Sequence, residues 1–129
     1  MVEKGTGPLT RKAEAEELLE RTASELRDML REAAGALDPF PFFMGSIAVR
    51  AIETEPGAAA KTDRGCVVVC SDGELYEYTY TVAMGGPFFE PSREEKLTEL
   101  DLPCQDYIPY VYNALCEITR QILERQGRV

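Results

Sequence analysis

The chain contains no histidine. That absence removes the usual base of serine and cysteine nucleophiles, so Ser/His and Cys/His machinery is excluded. It also leaves only cysteine and carboxylate as strong zinc donors. No apolar run is long enough to span a bilayer. The start, "MVEKGTGPLTRK", lacks the apolar middle of a signal peptide. No glycine-rich phosphate loop follows a strand pattern, and Gly85-Gly86 alone is weak. Basic residues are scarce. Lys and Arg total 14 against 23 Asp and Glu, for a net charge of −9, and the densest basic stretch is Arg11-Lys12. A polyanion or an anionic membrane is repelled by such a chain, so neither nucleic acid nor membrane is an expected partner.

The 129 residues fit one domain with a core, and an apolar fraction of 44% suits a globular chain. The expected division is a flexible start at 1–8, one domain at 9–126 and a flexible end at 127–129. The expected compartment is the cytoplasm, where Cys66, Cys70, Cys104 and Cys116 stay reduced.

Leu19, Ala23, Leu26, Leu30, Ala33 and Leu37 recur at helical spacing, which predicts one long helix over 9–37. Gly35, Asp38 and Pro39 end it. "SIAVRAIETE" reads as a strand over 46–55. Its alternation places Ile47, Val49 and Ala51 on one face and Ala48, Arg50 and Ile52 on the other. A long loop follows at 56–65.

The clearest pattern is "CVVVC", "SDGE", "LYEYTYTVA". Asp72-Gly73 suits a two-residue type I′ turn. Pairing Ser71 with Glu74 then sets Val69 opposite Tyr76 and Val67 opposite Tyr78. Glu77 falls on the second face with Arg50, Ile52, Cys66, Val68, Cys70 and Leu75. Ser92 and Glu95 fit a capping box, which allows a short helix near 93–100; a last strand at "LTELDL" is the competing reading, and the sequence does not choose between them. Ile108, Val111, Leu115, Ile118 and Ile122 mark a second helix over 106–126, with Pro109 tolerable only in its first turn. The expected fold is α+β: a long N-terminal helix, a three-stranded antiparallel meander and a C-terminal helix. The helices pack on the Val67/Val69/Tyr76/Tyr78/Tyr80 face.

Cys66-x-x-x-Cys70 on a strand separates the two Cα atoms by about 13 Å, beyond the ~7 Å limit of a disulfide. These thiols read as small buried hydrophobes, and neither metal nor cofactor is expected. Tyr76, Tyr78 and Tyr80 at period two, with Tyr112 on the last helix, suggest core rings or an aromatic wall for a small organic ligand. Two Pro-Phe-Phe loops, with Phe42-Phe43 and Phe88-Phe89, suit plugs of the core or an interface. The leading expectation is a non-catalytic module that forms a homodimer and binds a protein or a small apolar ligand. The alternative is a small enzyme with Glu77 as acid/base and Arg50 as anion anchor.

Overall fold

The computed structural model describes residues 7–55, 66–84 and 91–127. Helix α1 spans Pro8–Ala36, with proline in its first turn, where a missing N–H costs nothing. Only its second half packs. From Pro8 to Leu18 every side chain is exposed, while Ala23, Leu30 and Ala34 are buried. Leu37 and Phe40 continue the apolar stripe into the core, past a cis peptide bond at Asp38-Pro39.

Strand β1 is Ala51–Glu53, β2 Cys66–Cys70, β3 Leu75–Met84 and β4 Pro91–Glu99; helix α2 is Cys104–Arg125. The strands form one antiparallel sheet in the order β1-β2-β3-β4. This is the expected α+β class with one strand more than expected. Of the two readings for 93–102 the strand is the one formed, as β4, which starts earlier than "LTELDL". Its backbone pairs with β3 from Tyr76↔Glu99 to Met84↔Pro91, and that long ladder outweighs the local helical preference of "REEKL".

The expected strand over 46–55 is shortened to three residues. Met44-Gly45 turns the chain, with Gly45 at φ 71, and the Ser46 hydroxyl accepts the N–H groups of Ala48 and Val49. Phe43 N–H bonds to Val49 O at 2.9 Å, so this segment folds on itself and leaves Ile47 92% exposed. Helix α2 starts two residues before its expected position, which puts Pro109 beyond the first turn. Gln105 O thereby loses a backbone donor close to the helix start, where the interruption costs least.

Both helices cover the same side of the sheet. Leu30, Ala34, Leu37 and Phe40 meet Ile52, Val67, Val69 and Leu75, with Tyr110, Val111, Ala114 and Ile118 of α2. Thr54 ties β1 to α2: its buried hydroxyl lies 2.9 Å from both Tyr110 O and Asn113 Oδ1, and donates its one proton to one of them. Among the described residues no helix is long and apolar enough to cross a membrane.

The β2–β3 register differs from expectation by one residue. Val69 lies opposite Leu75, Val68 opposite Tyr76, Val67 opposite Glu77 and Cys66 opposite Tyr78. The loop holds three residues, not two. Gly73 N–H bonds to Cys70 O at 2.9 Å, and Gly73 takes φ 78, which gives a turn followed by a left-handed glycine. The Asp72 carboxylate accepts the Glu74 N–H at 2.9 Å and steadies the bend. Val67 and Val69 do face the helices, as expected. Tyr76, Tyr78 and Tyr80 do not; they point to the other side, while Leu75 and Glu77 join the helix side.

This turn is docked on α1. A Cβ at Gly73 would meet Arg31 Cα at 2.5 Å and Arg31 N at 2.9 Å, both immovable backbone. Beside it, Glu74 receives Arg27 through Nη2 at 2.5 Å and Nε at 3.2 Å, and Arg31 through Nε at 2.8 Å. Hydrogen bonding from Arg27 is the largest influence holding the Glu74 carboxyl below the usual carboxylate range; burial opposes it and Arg31 assists.

Two outcomes follow from this contact. Gly73→Ala is expected to lose roughly 2–5 kcal/mol, from the left-handed backbone and the overlap together. Gly45→Ala, with φ 71 but nothing within 4 Å of its added methyl, loses only about 1–2 kcal/mol. Urea denaturation of both variants checks the difference. The Glu74 contribution is present above its unfolded pKa of about 4.3 and is lost as pH falls through the lower folded value. The stability gap between the protein and Glu74→Gln, about 1 kcal/mol at neutral pH, should therefore close below pH ~4. A gap that persists into acid contradicts the clamp.

Candidate functional site: the outer face of the sheet

The side of the sheet away from the helices carries Ala51, Cys66, Val68, Cys70, Tyr76 and Tyr78. Its β1–β2 half is covered by the chain's own loop. Phe43 lies over it, with its ring 4.5 Å from that of Tyr78, and is 8% exposed. The first Pro-Phe-Phe segment thus plugs two layers: Phe40 enters the helix-side core and Phe43 the outer one. Phe42, between them, is half exposed and stacks under the Arg50 guanidinium at 4.0 Å. The second segment, with Phe88 and Phe89, lies outside the described residues.

Among the described residues no segment covers the β3–β4 half. Tyr80 and Val82 are 43% and 51% exposed, and Leu97 opposite Tyr78 is 37% exposed. Carboxylates stand at the rim of the tyrosine rings. Tyr76 donates its hydroxyl proton to Asp72 at 2.5 Å, and Tyr78 donates to Glu95 at 2.6 Å. That hydrogen bond to Asp72 is the main reason the Tyr76 phenol is held well above its usual range.

The sheet does not bring Glu77 and Arg50 together. Glu77 faces the helix side on β3, two strand spacings, roughly 10 Å, from the β1 edge. Arg50 Nη1 is bonded to Phe40 O at 2.6 Å and its plane is stacked on Phe42. The strand tyrosines, lying on the far face, wall no pocket between sheet and helices. Tyr112 sits 64% exposed on the solvent side of α2, beside Cys116.

Two groupings escaped the sequence. A cleft of about 270 Å³ lies between α1, the start of β3 and the start of α2, with Leu75, Leu100 and Leu102 as floor and Arg27, Glu74 and Tyr107 at its polar side. Arg27 and Glu74 satisfy each other there, so the cleft is the seam of the helix–hairpin clamp. On the outer face Glu53, Glu55 and Cys66 place their donor atoms within 4.8 Å of one another. Burial first, then a hydrogen bond to Glu53, pushes the Cys66 thiol up to about 12, so it stays protonated at neutral pH. Strand alternation pairs Glu53 with Glu55 in the sequence; their approach to Cys66 needs a register that the sequence between the strands does not reveal, and the loop expected at 56–65 lies outside the described residues.

Comparison with known proteins assigns no family: no family model matches the chain, and no curated protein or solved structure is significantly similar to it.

All four cysteines are free. Burial raises Cys70, like Cys66, to about 12, whereas Cys116 is exposed. Labelling the folded protein with a thiol reagent at pH 8 should therefore modify Cys116 first, with Cys66 and Cys70 slower by roughly a hundredfold or more. Unfolding should restore four equal thiols. Fast labelling of Cys66 in the folded state contradicts the outer-face packing.

Proposed function

We propose that the chain is a non-catalytic α+β binding module, active in the cytoplasm, that uses the outer side of its sheet to engage protein surfaces and self-associates through the Phe42–Ile47 loop. The observation that carries this reading is the open face itself. A two-layer fold leaves one side of its sheet without a helix layer, and here the β3–β4 half of that side holds Tyr80, Val82 and Leu97 substantially exposed among its carboxylates.

The loop suits self-association for a reason of charge. From Pro39 to Val49 the chain carries no ionisable side chain, yet Met44 and Ile47 are 77% and 92% exposed. In a two-fold dimer the same loop meets itself, so an uncharged apolar surface faces no like charge despite the net −9. Burying Met44 and Ile47 is worth roughly 1.5–3 kcal/mol per side chain, four of them per dimer. Association costs of roughly 4–15 kcal/mol offset most or all of that, so these side chains alone support a weak dimer that reaches micromolar strength only at the favourable limit. Free thiols on the outer face and on α2 suit a reducing compartment.

The alternative reading as an enzyme loses the pair it was built on: Glu77 and Arg50 lie apart, and Arg50 is engaged by Phe40 and Phe42. Light scattering across a tenfold dilution range near micromolar concentration tests the proposal. The expected mass is about twice 14.4 kDa at the higher concentration, falling to the monomer in the double variant Met44→Asp/Ile47→Asp. A constant monomer mass for the unaltered chain would sink self-association.

A further inference from the structure

We infer that the β3–β4 half of the outer face binds a cationic, apolar segment of another protein. The inference rests on reading the outer face as a docking surface, but on residues separate from the Phe42–Ile47 loop.

The strip alternates rings and carboxylates. Tyr76, Tyr78 and Tyr80 run along β3, with Glu99, Leu97 and Glu95 opposite them on β4. Asp72 closes one end, and Glu53 and Glu55 flank the strip from the β1 side. The register sets five carboxylates on this face: Glu53, Glu55, Asp72, Glu95 and Glu99. Lys96 pairs with Thr79 and belongs to the helix side. The carboxylates are also placed by hydrogen bonds. Asp72 and Glu95 each accept a tyrosine hydroxyl, which fixes a negative charge at the rim of a ring.

A guanidinium or ammonium laid over such a ring meets the negative face of the π system and a carboxylate at its edge at the same time. Between these rings, Val82 and Leu97 offer apolar contact. The matching ligand therefore alternates positive and apolar groups. The strip is an open strand surface rather than a concave pocket, so it fits an extended polypeptide better than a small molecule. A second copy of the chain is disfavoured here, because a two-fold axis would set these carboxylates against themselves. Nucleic acid and anionic lipid are disfavoured by the same sign of charge.

The test is an NMR titration of the full chain with a ten-residue peptide alternating arginine and leucine. Control peptides replace arginine by glutamate or leucine by glycine. Shifts should cluster at Tyr78, Tyr80 and Leu97 for the arginine–leucine peptide alone. The double variant Glu95→Gln/Glu99→Gln should weaken binding about tenfold or more. Glu17→Gln/Glu25→Gln, which removes the same charge from exposed positions of α1, should change it less than twofold. Equal weakening by both pairs would reduce the effect to net charge and overturn the inference. So would binding of the glutamate peptide, shifts clustered on α1, or no binding at millimolar peptide. The Met44→Asp/Ile47→Asp variant should bind the peptide as the unaltered chain does, so failure to dimerise and failure to bind the peptide are read separately.

Discussion

The contact between Gly73 and the backbone of Arg31 determines how the sheet presents itself. Only a residue without a side chain can sit there, since an added Cβ would lie 2.5 Å from Arg31 Cα. The left-handed conformation at Gly73 makes the loop three residues long, and the three-residue loop sets Val67 opposite Glu77. From that single pairing every side chain of β3 receives its face, because strand neighbours alternate. Glu74 then holds the turn in place with Arg27 and Arg31. The tyrosines are thereby turned away from the helices, and Leu75 is turned toward them.

Much of this was legible in the residues. The stripe from Leu19 to Leu37 carries helical spacing, and α1 ends within a residue of the expected place. The valines of β2 are apolar on both faces, as a strand between two others must be, and β2 is fully flanked. The register was not legible. Asp72-Gly73 is compatible with a two-residue turn and with a turn followed by a left-handed glycine, and the choice is made by α1, which lies over forty residues earlier. Tyr76 and Tyr78 suit a core as well as an open face, so composition did not break the tie. The β4 segment stays open between helix and strand in the sequence because "SREEKL" satisfies a helix cap locally, while its nine-pair ladder with β3 is a tertiary fact.

The correction to the register also moves the candidate site. With Ile52 and Leu75 on the helix side, the outer face is less aliphatic and more aromatic than its expected composition. Its two halves differ in chemistry. The half beside β1 is filled by Phe43 and edged by an uncharged loop; the half at β3 and β4 sets tyrosines among carboxylates. Glu77, expected on the exposed face near Arg50, lies instead opposite Val67 under the helices. The proposed division of labour, self-association at the loop and a cationic partner at the strip, follows from those differences in charge.

The face assignment is tested most directly by interstrand contacts in solution. In an antiparallel pair the Cα atoms of directly opposed, non-hydrogen-bonded residues approach to about 4.5 Å, which brings their Hα protons within reach of a strong nuclear Overhauser effect. Cys70 and Glu74 form a hydrogen-bonded pair, so the close pairs are Val69 with Leu75 and Val67 with Glu77. Strong Hα–Hα effects at those two pairs are the predicted result. Strong effects between Cys70 and Leu75, or between Val68 and Glu77, the close pairs of a two-residue turn, would return the tyrosines to the helix side and contradict the account.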